Sequence, residues 1–164
     1  MVMSSYPDQE GTHMRIYVLG YGDDMSRRGV QRHLPKKEIL WRVTVRGWRR
    51  SFSHFGREHR YLTLVRDEKA EAKHVAVFEV TPTELEIHAR QEWGQKLTDL
   101  TAFVKPLPVW EEARIYAFIS IPPEEKNSIR KSYLDTVLED LTPGQREEIL
   151  AEIDFCGAKI DEKS

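Results

Sequence analysis

Arg15-Ile16-Tyr17-Val18-Leu19 is a run of β-branched and aromatic residues, broken by Gly20, Gly22 and the pair Asp23-Asp24. A short apolar run bounded by turn residues predicts a buried first strand. Trp41 to Val45 predicts a second strand, interrupted at Arg46-Gly47-Trp48. Arg60 to Val65 predicts a third, ending in the polar turn Arg66-Asp67-Glu68, and His74 to Val80 a fourth. Thr81-Pro82-Thr83-Glu84 then carries an N-cap, a proline at the first helical position and a capping-box glutamate. That helix is expected to reach about Trp93 and stop at Gly94. Leu100 to Val104 and Arg114 to Ile121 predict two more strands, each closed by prolines. Asn127 to Leu141 and Pro143 to Phe155 read as helices.

The order is strand, connection, three strands, helix, two strands, helices. It lacks the strict β-α alternation of a doubly wound sheet. The expected class is α+β: a small mixed β-barrel or sheet with helices packed on it.

The chain has 164 residues, 40% of them hydrophobic and 32% charged. That is enough for one domain with a core that needs no disulfide or metal. Residues 14–141 are expected to form this domain, followed by a C-terminal helix and acidic tail over 142–164. Met1 to His13 is polar and lacks the apolar stretch of a signal peptide, so a disordered extension is expected there. No apolar run approaches the roughly 20 residues of a membrane helix. The single cysteine, Cys156, cannot form an internal disulfide, and a cytoplasmic location is the expectation.

Charge is unevenly spread. Between Ser26 and Arg60 there are eleven Lys and Arg against two acids, and from Tyr61 onward thirteen against twenty-one. Either the two halves pair within the fold, or a basic patch serves an anionic partner.

Three places carry candidate chemistry. The turn Tyr21-Gly22-Asp23-Asp24 follows a strand and precedes a helix, so it exposes backbone N–H groups of the kind that hold anions. The same residues also suit an ordinary tight turn in which Asp24 caps the next helix. Glu92 is the second place. At 100° per residue it shares the apolar face of its helix with Leu85, His88 and Ala89, and it sits in the last turn. Burial and the helix dipole both raise a carboxylate's pKa, which suits a general acid and base near neutral pH. The alternative is an inward edge residue paired with an arginine. The third place is the basic segment Arg42 to Arg60, where Arg42, Arg46, Arg49, Arg50, Arg57 and Arg60 interleave with Trp48, Phe52 and Phe55. Exposed arginines and aromatics hold single-stranded nucleic acid. Strand alternation instead puts the aromatics in the core and the arginines in water, which is the favoured reading. No histidine pair has metal-ligand spacing, so no metal site is expected. Cys156 has no obvious base beside it, and no nucleotide-binding or nucleophile-elbow motif is present.

Taken in order, these motifs resemble the gamma-glutamylcyclotransferase-like family, over roughly Met14 to Leu141. Where family members end the first strand in Tyr-Gly-Ser-Asn-Leu, this chain has Tyr21-Gly22-Asp23-Asp24-Met25. Gly47-Trp48-Arg49 resembles the Gly-aromatic-Arg strand. Val75 to Glu79, then His88-Ala89-Arg90-Gln91-Glu92, stand in place of the hydrophobic strand and the Leu-Asp-x-x-Glu helix. Ser128 through Tyr133-Leu134-Asp135-Thr136-Val137 is similar to the family's last helix.

The resemblance implies a small mixed barrel and a reaction that releases 5-oxoproline from a small γ-glutamyl amine or peptide. The substrate's own α-amine attacks its γ-carbonyl and expels the amine. No cofactor, metal or nucleotide is needed. Glu92 matches the catalytic glutamate, Gly22, Asp23, Asp24 and Met25 the substrate loop, Tyr21 its aromatic, and Tyr133 a pocket-side tyrosine. The Asp-Asp pair departs from the family's Ser-Asn and suggests a cationic ligand or lost activity. The runner-up is an inactive binding protein on the same fold that engages nucleic acid or an acidic partner through residues 42–60. Oligomeric state is left open.

Overall fold

The computed structural model describes residues 14–55, 59–92, 94–104, 113–120 and 128–162. The expected extension 1–13, Arg57, Trp93, the prolines at 106, 108, 122 and 123, and Asn127 lie outside them, as does the side chain of Phe55.

The chain runs β1 (Arg15–Gly20), a 3-10 turn (Asp23–Met25), α1 (Arg27–His33), β2 (Trp41–Phe55) and β3 (His59–Val80). It continues through α2 (Pro82–Gln91), β4 (Gln95–Asp99), a 3-10 turn (Thr101–Phe103), β5 (Ala113–Ser120) and β6 (Ser128–Arg130). α3 (Lys131–Leu138), α4 (Pro143–Glu152) and β7 (Ile160–Asp161) complete it. All seven strands belong to one mixed sheet of order β4-β5-β1-β3-β6-β7, with β2 paired to β3. β1 is antiparallel to β3 and parallel to β5. The structure thus has the mixed, α+β character read from the sequence.

Alternation along β1 builds two cores. Tyr17 and Leu19 face one, with Phe52, Leu62 and Leu64 of the hairpin, Val137 of α3 and Ile149 of α4. Ile16 and Val18 face the other, with Val30 of α1, Phe78 of β3 and Leu85 of α2. This is the period of two expected of a strand covered on both sides.

Some elements differ from the sequence reading. The third and fourth strands are one strand, β3. Arg66-Asp67-Glu68 makes no turn, because β2 stays paired across it from Trp48↔Arg66 to Arg46↔Glu71 with a register shift between. Gly47, at φ +80°, supplies that shift, and Arg66 Nη1 donates to its carbonyl at 2.5 Å. Leu100 to Val104 is a 3-10 turn with Val104 in a single bridge to Val45, while the strand lies earlier at Gln95–Asp99. The helix expected from Asn127 begins as strand β6 before α3. Helix α2 has the expected capping box, with Thr81 Oγ1 accepting from Glu84 N at 3.1 Å, and ends one residue before Glu92. No helix among the described residues is long and apolar enough to cross a membrane.

Candidate active site

β1 ends at the centre of the sheet and delivers Tyr21 into the interior, 6% exposed. Its hydroxyl donates to the carbonyl of Phe118 on β5. Burial, and Glu92 nearby, push this phenol well above its ordinary pKa. The chain then turns tightly: Met25 N donates to Gly22 O at 3.0 Å, and the Asp24 carboxylate lies 3.4 Å from Gly22 N. Asp24 does not cap α1. Ser26 does, its Oγ accepting from Gly29 N at 3.1 Å. Serine sits one residue before the first helical position, where an oxygen reaches the free N–H groups.

Tyr133 of α3 closes the other side. Its hydroxyl accepts from Leu62 N at 3.2 Å, and a Cβ added to Gly22 would lie 2.5 Å from that oxygen. Gly22 is therefore required by close approach. Burial, and Asp23 next, hold the Tyr133 phenol well above its ordinary range.

Glu92 follows α2 as its C-cap, with its side chain 19% exposed. It lies beyond the last helical turn, with its N–H bonded to Ala89 O at 3.3 Å. His88, one turn earlier, holds Glu92 Oε1 at 2.8 Å through Nε2. With its amide turned to satisfy both of its atoms, Gln95 donates to Glu92 Oε2 at 3.3 Å and to Phe118 O at 3.1 Å.

These residues converge. Tyr21, Gly22, Asp23, Asp24, Glu92, Gln95 and Tyr133 line a small recess. It adjoins an open cavity of about 590 Å³, which Asp23, Glu92 and Tyr133 also line. Met25 is not in it: the residue is fully buried, and its sulfur accepts from Arg50 Nη2 at 3.0 Å. Of the residues expected in the substrate loop, Tyr21 to Asp24 line the recess and Met25 lies in the core.

The recess is acidic and the outer cavity basic. Asp24 is raised well above the usual carboxylate range by burial, then by Asp23 and Glu92. Asp23 is raised by burial and by Glu92, while His33 and Arg32 act against this. Arg32 pairs with Asp23 at 3.5 Å. Arg28, Arg32, Arg130, His33 and His54 line the outer cavity. His54 Nδ1 lies 2.7 Å from Ser120 Oγ, and burial lowers its pKa. His54 is not among the residues that the sequence marks as candidates. Its pairing opposite Tyr61 in the hairpin brings it here.

Asp24, His88 and Glu92 bring one nitrogen or oxygen each within 4.8 Å of one another. Two ligands 2.0–2.1 Å from a tetrahedral zinc stand roughly 3.3 Å apart. The contact between His88 and Glu92, at 2.8 Å, is shorter than that and lies at hydrogen-bond distance.

No protein-family model matches the sequence, and no curated protein does. Solved structures do match. A structure described as gamma-glutamyl cyclotransferase superposes with a TM-score of 0.67 at 12% identity, covering 91% of this chain and 95% of that one. An uncharacterized human protein gives 0.67 at 12%, covering 92% and 96%. YkqA from Bacillus subtilis gives 0.66 at 13%; the match covers 98% of this chain and 59% of YkqA. The chain has the gamma-glutamylcyclotransferase-like fold. Identity this low speaks to fold, and function has to be argued from the site.

The basic segment follows the alternation only in part. Phe52 is fully buried and Arg46 and Arg49 are exposed, as expected. Trp48 is half-buried, edge-on to Phe103 at 5.7 Å. Arg50 and Arg60, expected in water, are buried at 0% and 6% exposure. Arg50 shares the parity of Trp48 and Phe52 along β2, so it points inward with them.

Proposed function

We propose that this chain is a cofactor-independent gamma-glutamylcyclotransferase-type enzyme acting on a small γ-glutamyl amine or peptide. The observation that carries the reading is that Glu92 and the Gly22–Asp24 turn line one recess. The substrate's α-amine attacks its own γ-carbonyl. A C–N bond forms the five-membered lactam, the original amide bond breaks, and the products are 5-oxoproline and an amine. Attack within one molecule brings a large proximity advantage. The α-ammonium loses two protons on the way to the lactam N–H, and the leaving nitrogen takes up two and departs as an ammonium. Glu92 accepts a proton from the attacking nitrogen and returns it to the leaving one. Gly22 and its neighbours orient the amino-acid end, and the arginines of the outer cavity attract carboxylates.

The test is release of 5-oxoproline from γ-glutamyl dipeptides and γ-glutamyl amines by wild type and Glu92→Gln. The substitution keeps size and removes the titrating proton. A positioned acid–base group contributes about 10²–10⁴ in rate, so Glu92→Gln is expected to lose at least a hundredfold in kcat. Equal turnover in the two proteins rejects this mechanism. The binding-protein alternative draws less support, because burial of Arg50 and Arg60 breaks up the basic face that nucleic acid would need.

A further inference from the structure

We infer that His88 is a positioning residue for Glu92: a neutral imidazole whose Nε2–H fixes one carboxylate oxygen and favours the ionised, proton-accepting form. The inference rests on the cyclotransferase reading for its catalytic meaning, though the contact itself is measurable without turnover.

The ring is 1% exposed. It stacks on Phe78 at 5.9 Å and on His33 at 5.2 Å, with Phe118 tilted against it at 4.8 Å. Its Nε2 lies 2.8 Å from Glu92 Oε1, and its Nδ1 is buried with no hydrogen-bond partner among the described residues. Those two facts select the ring's state. An imidazolium would bury a second N–H, on Nδ1, among aromatic rings with no acceptor for it. A neutral ring protonated on Nδ1 would bury the same orphan donor and turn a lone pair toward the carboxylate. The neutral ring protonated on Nε2 leaves only a lone pair unmatched and gives its one donor to Glu92. An unsatisfied buried atom calls for an explanation, and this contact provides one.

Glu92 needs such a donor. Asp23, Asp24 and Tyr21 face it from the loop after β1, and His54 faces it from β2. His33 of α1 lies behind the imidazole, and Tyr133 of α3 closes the recess. Among the described residues, the arginine that pairs with this acidic group, Arg32, goes to Asp23. Support for the Glu92 anion thus comes from two neutral donors, His88 on Oε1 and Gln95 on Oε2. A hydrogen bond to the charged form favours that form. It also fixes the carboxylate's rotation, which a residue just past a helix end otherwise lacks. In the family pattern quoted above this position is a leucine, which offers no such donor.

The experiment uses the full chain, labelled with ¹³C at glutamate carboxyls and ¹⁵N in histidine, as wild type, His88→Leu and His88→Gln. Leucine keeps the volume and removes the donor; glutamine presents an amide N–H near the position of Nε2. Denaturant midpoints verify that each variant folds. In wild type the His88 nitrogens are expected to report a neutral ring protonated on Nε2. In His88→Leu the Glu92 carboxyl titration is expected about one pH unit higher, a tenfold change in its protonation equilibrium. His88→Gln is expected to restore at least half of that shift. In 5-oxoproline release, the acid limb of the pH–kcat profile moves in the same order, with KM little changed. An unmoved Glu92 titration in His88→Leu overturns the inference, as does an Nδ1-protonated ring. So does stoichiometric Zn²⁺ binding that shifts the Nε2 resonance, since the cluster would then be a metal site. Absence of 5-oxoproline release by wild type on every substrate tried would reject the enzyme reading, while the carboxyl titrations still decide the role of His88.

Discussion

Arg50 Nε donates to the carbonyl oxygen of Tyr21 at 2.8 Å, from a side chain with no solvent exposure. The same guanidinium bonds Glu152 at the end of α4 and the sulfur of Met25. Tyr21 and Met25, on either side of the Gly22–Asp24 turn, therefore hang from one buried cation, whose counter-ion comes from a helix more than ninety residues later. Burial lowers the pKa of Arg50 and raises that of Glu152, and each partner offsets the other's shift.

Removing one partner of a buried ion pair leaves an uncompensated charge, a loss of about 3–5 kcal/mol. Arg50→Ala and Glu152→Ala are each expected to lower stability by this order in urea unfolding, and the double variant by much less than the sum. A double-mutant cycle reads the coupling directly. Additive losses would show that the pair does not hold the loop.

Gly22 and Tyr133 make a second such pair. Gly22→Ala puts a methyl 2.5 Å from the Tyr133 hydroxyl. Overpacking of this kind costs roughly 1–3 kcal/mol. Tyr133→Phe removes the obstructing oxygen but leaves Leu62 N–H without its acceptor, at about 1–3 kcal/mol. The combined variant is expected to be more stable than the sum of the single losses. A thermal melt of the three proteins checks this.

The sequence was most legible where local signals are self-sufficient. Ile16 to Leu19 are apolar on both faces, and Thr81-Pro82-Thr83-Glu84 contains its own cap, so β1 and the start of α2 lie where expected. Helical periodicity places Glu92 beside Leu85 and His88, and the structure sets it against His88. What failed was decided by partners far along the chain. Arg66-Asp67-Glu68 looks like a turn, yet β2 pairs across it. Arg50 was grouped with solvent arginines by residue type, although its parity with Phe52 already marked it as inward. Its true partners, Tyr21, Met25 and Glu152, are set by the tertiary fold. His88, by contrast, stands four residues before Glu92, a spacing at which side chains meet on a helix face.

The raised pKa of Asp24 has a consequence for stability. The folded protein holds a proton on Asp24 to higher pH than the unfolded chain does. Between the two titrations the folded state binds more protons, so this group costs stability as pH rises. Below about pH 4 both states are protonated and the cost vanishes. Asp24→Asn keeps an oxygen for Gly22 N and removes the charge. Its urea midpoint is expected above wild type at pH 7.5, with the difference closing at pH 4. A difference independent of pH would mean that Asp24 titrates alike in the folded and unfolded states.

Asp23 brings a negative charge to the recess that the proposed substrate has to meet. In the cyclotransferase reading the substrate's α-carboxylate meets the Gly22–Asp24 turn, where Asp23 already occupies Arg32 at 3.5 Å. Two like charges 4 Å apart repel by about 1 kcal/mol in water and about 4 kcal/mol near a protein surface. Asp23→Ser removes that repulsion and frees Arg32 to attract the substrate. For an ordinary γ-glutamyl dipeptide, KM is expected to fall at least fivefold, with kcat changed little because Glu92 is untouched. A substrate whose leaving amine carries an extra positive charge should respond in the opposite sense, since Asp23 then attracts it. Kinetics of wild type and Asp23→Ser on one anionic and one cationic γ-glutamyl substrate, at low and high salt, read both signs. Screening should shrink each effect as ionic strength rises. A weaker response of both substrates to Asp23→Ser than to added salt would place the ligand's charges away from Asp23, on the arginine-lined side of the cavity.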